Sequence, residues 1–277
     1  MGKIVCGLPL FATFFCVLWS VLFDFEKATA THCRVNNYLP SISAAIGGFT
    51  PQRYVWRICI AFHAAPRLMI AWAYYNFHTS VHAGKHNELY KAGAALTSLC
   101  HVIEVTALVG LTYISSLDNH GLHETLFIVF MASSLVYMLL TILLFYWGRS
   151  RNGSFLTLEE SRSFSWKQRL FLTNISIFLF SVYVFFRHNW YCEPGVYTVF
   201  AACEYFVIVT NIAYHGTAII DFSPFSLAYV NIYTIFAACE YTVVVTNICF
   251  HYTAVLDFRC QKFLLTGSGD MGYLPYT

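Results

Sequence analysis

Charge is the scarcest feature of this chain: 11% of its 277 residues are Asp, Glu, Lys or Arg, where a soluble domain carries about a quarter. No long polar domain can be assembled from such a composition. No run of Lys and Arg marks a nucleic-acid surface, and a net charge of +2 directs the protein to no charged partner. Ten cysteines are present, but without CxxC pairs, which argues against a zinc module. GxSxG, HEXXH, a P-loop, an EF-hand loop and a GxGxxG in its required context are missing too. So is the HxxxxD that many glycerolipid acyltransferases carry. Most familiar enzyme classes are thereby disfavoured, and neither a metal nor a cofactor is expected.

What the chain has in excess is apolar length. It is 58% hydrophobic and 18% aromatic, with a mean hydropathy of +0.58. Runs of about twenty apolar residues cross a bilayer core of ~30 Å at 1.5 Å per residue. Such spans are predicted at about 4–23, 54–76, 92–115, 124–147, 170–186 and 195–220, with a seventh at 228–256. The fold class is therefore all-α, a polytopic transmembrane helical bundle. The first run ends on bulky Trp19 to Phe23 rather than a small-residue cleavage site, and reads as an uncleaved span. Between spans lie a turn-rich loop at 24–53, a basic loop at 148–168 and a mobile tail at 259–277. Cys6, Cys16, Cys59, Cys100, Cys203 and Cys239 fall inside apolar runs and read as small core residues.

With the N-terminus in the cytosol, Lys3, Lys85, Lys91, Arg149, Arg151, Arg162, Lys167 and Arg169 share the inner side. Lys27, Arg34, Arg53 and Arg187 take the outer one. That bias follows the positive-inside rule. It makes 24–53 lumenal and 148–168 cytosolic, and puts Cys33 and Cys192 together where disulfides persist. A bridge between them is predicted; two free loop thiols are the alternative. Asn152-Gly153-Ser154 is a glycosylation sequon on the cytosolic side of this topology, and so unused.

One segment is written twice. Tyr197 to Phe222 recurs as Tyr233 to Phe258, offset by 36 residues and identical at 18 of 26 positions. Each copy carries a polar trio: Glu204, Asn211, His215 and then Glu240, Asn247, His251. Spacings of seven and eleven return to within about 20° of one direction on a helix, so each trio is one stripe.

Ionisable residues inside spans cost roughly 2.5–3.5 kcal/mol each on insertion scales, and so face a bundle interior or a wet cavity. His63 and Arg67 sit four apart, His101 and Glu104 three apart, each pair on one helix face. With Glu204, Asn211 and His215 they would enclose a polar site between spans two, three and six. Two readings stand for it. In one it is a lipid head-group site, Arg67 on a phosphate with His and Glu binding hydroxyls or moving protons. In the other Arg67 pairs with Glu104 or Glu204 and holds helices together. At the lumenal span ends, His32, His123, Glu124, Arg187 and His188 suit either an acyl-transfer base or plain hydration of helix ends.

Several longer motifs carry a resemblance. They are His32-Cys33 with Asn37-Tyr38-Leu39-Pro40-Ser41, Ala45-Ile46-Gly47-Gly48, Pro51-Gln52-Arg53-Tyr54-Val55-Trp56-Arg57 and His63-Ala64-Ala65-Pro66-Arg67. Further along come His123-Glu124, Ser165-Trp166-Lys167-Gln168-Arg169, and Arg187-His188-Asn189 with Tyr191-Cys192-Glu193. Together they resemble the FRAG/DRAM/Sfk family of factors in lipid remodelling of glycosylphosphatidylinositol (GPI) anchors, over roughly Leu8 to Phe222. The resemblance implies a multi-pass membrane protein of the Golgi apparatus, with the endoplasmic reticulum membrane as a further location. It implies action where a lyso-GPI anchor is reacylated with a saturated chain, before transport of the anchored protein to the surface. Membrane lipid and lyso-GPI-anchored proteins would be its partners, with an acyltransferase as a further one if it assists rather than catalyses. A proton-coupled carrier and a non-catalytic scaffold are the competing functions. The family pattern has one copy of the last helix, so the second copy is either a real seventh span or a merged alternative exon.

Overall fold

Pro, Gly and polar clusters divide the apolar text into helices that turn back on one another. In the computed structural model, residues 2–81, 84–152, 158–222 and 232–257 are described. The elements are α1 (Gly2–Phe23), α2 (Phe25–Ala28), α3 (Ile42–Gly47), α4 (Gln52–Ser80), a 3₁₀ turn at Gly84–His86, α5 (Asn87–Tyr113) and α6 (His120–Asn152). They continue with α7 (Leu158–Tyr191), α8 (Val196–Gly216), α9 (Ala218–Asp221) and α10 (Ile232–Asp257). Among the described residues there is no strand. The protein is an all-α polytopic membrane bundle.

Among the described residues, five helices are long and apolar enough to cross a bilayer: α1, α5, α6, α7 and α8 with its α9 extension. α4 is 29 residues long but carries Arg53, Arg57 and Arg67, which lower its apolarity. It packs between α1 and α5, while α5–α6 and α7–α8 form antiparallel pairs and α1 closes on α8. α1 shows why the contact is close. Its buried residues are Val5, Pro9, Ala12, Thr13, Cys16 and Ser20, one helical face of mostly small side chains. Side-chain hydrogen bonds then tie neighbours: Gln52 Nε2 to Asp24 (2.8 Å), Trp56 Nε1 to Thr112 (3.2 Å), and Asn174 Nδ2 to the Val207 carbonyl (2.9 Å).

The connections depart from expectation in two places. The stretch 24–53 holds α2 and α3, the latter capped by Ser41, whose hydroxyl accepts from the Ala44 amide (3.2 Å). The basic loop expected at 148–168 is helical at both ends, since α6 runs on to Asn152 and α7 begins at Leu158. Glu159 and Glu160 in the first turn of α7 complement its dipole, which lets the helix start well before its apolar part. Residues 153–157, the tail 259–277 and the start of the seventh candidate span, 228–231, lie outside the described residues. The described part of that candidate is α10, which lies against α4 and α5.

Candidate functional site

Polar side chains cluster at three levels along the bundle. Deepest is a cluster where α4, α5, α6 and α8 meet. Arg67 Nη2 lies 2.8 Å from Glu104 Oε2, with the two side chains 2% and 0% exposed. His215 places Nε2 3.1 Å from Glu104 Oε1 and also against the Arg67 guanidinium. Asn211 Nδ2 donates to Ser134 Oγ (2.7 Å) and to Glu104 Oε1 (3.3 Å). His101 and Tyr137 pack their rings on His215, at centroid distances of 5.0 and 5.3 Å, and neither ring nitrogen of His101 has a hydrogen-bond partner among the described residues.

Of the residues expected in one site, the structure therefore joins Arg67, Glu104, Asn211 and His215, with His101 alongside. His63 turns instead to α1, its Nδ1 2.9 Å from the Val5 carbonyl. Glu204 is separated from the cluster as well. Its Oε2 accepts the Ile42 amide at 3.2 Å, and so anchors α3 to α8. Seven residues of helix put Glu204 ~10 Å above Asn211 on the same stripe. One atom each of His101, Glu104 and His215 falls within 4.8 Å of the others, a grouping that suits a metal ion. Here, however, Arg67 already supplies the cation. A divalent ion would share Glu104 with a guanidinium, and like charges at that spacing repel strongly in low dielectric.

The second level is the end of the bundle that carries the 24–53 connection. Cys33 and Cys192 form a disulfide with a Cα–Cα distance of 5.3 Å, linking that connection to the α7–α8 turn. Gly195 at φ +77° makes the turn, in a backbone region where a side chain would be strained, and its amide donates to the Asn36 carbonyl (3.0 Å). His32 and His188 stack edge to face at 5.6 Å. Arg187 grips Glu193 through two hydrogen bonds of 2.7 and 3.0 Å, which hold the Glu193 carboxyl below the usual range. His123 lies across the same end: Nδ1 is 2.6 Å from the Ile114 carbonyl, and Nε2 is 3.0 Å from Ser43 Oγ. Glu124, next in sequence, points away and faces His120 at 3.9 Å.

The third level, at the opposite end, was not foreseen as a site. Lys167 is 1% exposed and paired with Asp221, while Ser163 and Tyr74 donate to the same carboxylate. Its ammonium also lies 4.8 Å from the Phe145 ring centroid. Sequence position counted Lys167 as a loop charge. The available signal was a pattern, Ser163 and Lys167 four apart on one helix face.

Residues 3–225, which hold every polar group just described, match the family model described as Frag1/DRAM/Sfk1/Cwh43P N-terminal domain. The chain belongs to that family. Within this Frag1/DRAM/Sfk1 family it is 47% identical over 216 residues to a Xenopus tropicalis protein named acyltransferase PGAP2, covering 78% of this chain and 84% of the relative. It is 42% identical over 222 residues to the Drosophila melanogaster post-GPI attachment to proteins factor 2, covering 80% and 84%. A more distant relative is the Schizosaccharomyces pombe protein cwh43, 25% identical over 187 residues, 68% of this chain and 17% of that one. No solved structure matches the chain. The family match ends before α10, so the second copy of the repeated helix lies beyond it.

Proposed function

We propose that this protein acts in lipid remodelling of GPI anchors, at the step where a lyso-GPI anchor receives a saturated acyl chain, in the membrane of the Golgi apparatus. The observation that carries the reading is the 47% identity, over 78% of the chain, to a protein named acyltransferase PGAP2. Its substrates are then membrane lipids and lyso-GPI-anchored proteins, and stable display of those proteins at the surface is the consequence.

In this reading the labour is divided. Arg67 is enclosed and neutralised by Glu104, so its part is to position α4 against α5 and α8 rather than to meet a phosphate from the membrane. Head groups are met at the disulfide end, where His32 and Arg187 are open and His123 and His188 lie just beneath. Expression of the chain in cells lacking their own factor tests this. Mass spectrometry of the anchors reads the outcome: saturated chains are restored if the reading holds. Lyso anchors persisting beside normally expressed protein would contradict it and favour a carrier, for which proton flux in vesicles is the direct assay.

A further inference from the structure

Ser43 stands out once its partner is known. It is half-buried on α3, a short helix held down by three long-range bonds. Ser20 Oγ donates to the Ala45 carbonyl (3.2 Å), Glu204 takes the Ile42 amide (3.2 Å), and Tyr205 donates its hydroxyl to the Pro40 carbonyl. Facing it from the start of α6 is His123, 7% exposed. The Ile114 carbonyl lies 2.6 Å from Nδ1 and can only accept, so Nδ1 carries the imidazole proton and Nε2 presents a lone pair. That lone pair meets Ser43 Oγ at 3.0 Å. A hydroxyl, a basic imidazole nitrogen in contact with it and a carbonyl that fixes the tautomer are the three parts of an activated nucleophile. Leu117 and Leu122, exposed on the chain flanking His123, give the neighbourhood an apolar surface on which an acyl chain can lie.

We propose that Ser43 is an acyl-accepting nucleophile and His123 its general base, so that the acyl chain passes through an ester on Ser43; this rests on the anchor-remodelling reading above. In the first half, Ser43 Oγ attacks the carbonyl carbon of an acyl ester or thioester while His123 Nε2 takes the hydroxyl proton. The bond from that carbon to the donor's oxygen or sulfur breaks, and the proton goes to the departing group. In the second half, a lyso-lipid hydroxyl gives its proton to His123 and attacks the acyl-Ser43 carbonyl. Ser43 Oγ leaves with that proton. Both halves are ester exchanges, so no oxidant or reductant enters, and the dyad returns to its starting state.

The test uses the full chain in nanodiscs without an acceptor, so that the acyl ester accumulates. One arm presents phosphatidylcholine with isotope-labelled stearoyl chains, the other labelled stearoyl-coenzyme A. Peptide mass spectrometry should find the labelled stearoyl group on Ser43 in one of the arms, which identifies the donor. It should be absent in Ser43→Ala and formed ~100-fold or more slowly in His123→Gln, the usual loss on removing a general base. Both variants should keep the thermal midpoint of the parent, and Ser43→Cys should regain an adduct as a thioester. An absent adduct in both arms, with lyso-GPI still acylated by the same preparation, overturns the nucleophile and leaves the remodelling function standing. Loss of acylation with neither adduct nor acylated product sinks both. An unaltered anchor profile in cells carrying Ser43→Ala would also overturn the dyad.

Discussion

Two helices in this protein have almost the same text and opposite surroundings. In α8, Asn211 and His215 are buried and bonded to Glu104, and Glu204 holds the Ile42 amide. In α10, Glu240 and Asn247, the corresponding positions, are exposed on a helix that lies outside α4 and α5. A polar stripe thus has no function of its own. Its meaning comes from what the bundle places opposite it, and the stripe of α8 faces Arg67, Glu104 and Ser134. Glu240 and Asn247 of α10 face outward, which fits its position beyond the family match.

The comparison can be broken most forcefully at Arg67. Arg67→Met leaves Glu104 buried without its cation, which should cost about 3–5 kcal/mol, because a charge stripped of its partner in low dielectric loses more than the pair ever gained. Thermal unfolding in detergent should show the loss, and Arg67→Met with Glu104→Met should recover part of it. At the opposite end, Asp221→Asn removes the charge opposite buried Lys167. A smaller loss of about 2–3 kcal/mol is expected, since the amide oxygen can still accept from one of the two hydroxyls, Ser163 or Tyr74, that donate to the two carboxylate oxygens. Glu204→Ala frees the Ile42 amide and loosens α3 by about 1 kcal/mol, whereas Glu240→Ala should change stability by no more than about 0.5 kcal/mol. Arg187→Ala should have the least effect of all on stability, as its pair with Glu193 is open to water. Its effect belongs to anchor remodelling, if the disulfide end meets head groups as proposed.

How much of this was legible in the sequence follows from the range of each interaction. Helix existence is local, and the apolar runs announced α1 and α5 to α8 directly. Facing residues within one helix are also local, as with Asn211 and His215, four apart and both in reach of Glu104. Which face meets which is not local. Nothing in the spacing told Glu204 from Asn211, yet one bonds a connection and the other the intramembrane cluster. Ser43 and Ser134 carry no pattern, because their partners lie 80 and 77 residues away. Lys167 was misread for a related reason. Counting charges by span assumes that helices stop at the membrane, and α7 begins about three turns before its apolar part.

The measurement that tests the account most directly compares the two copies at one position. Asn211→Ala and Asn247→Ala would each be expressed in cells lacking the endogenous factor, and the acyl chains of their GPI anchors read by mass spectrometry. The account predicts that Asn211→Ala, deprived of its bonds to Glu104 and Ser134, lowers the saturated-anchor fraction together with protein level, while Asn247→Ala matches the parent chain. Equal losses from both, or a loss from Asn247→Ala alone, would contradict it, because the outward-facing copy would then be the working one.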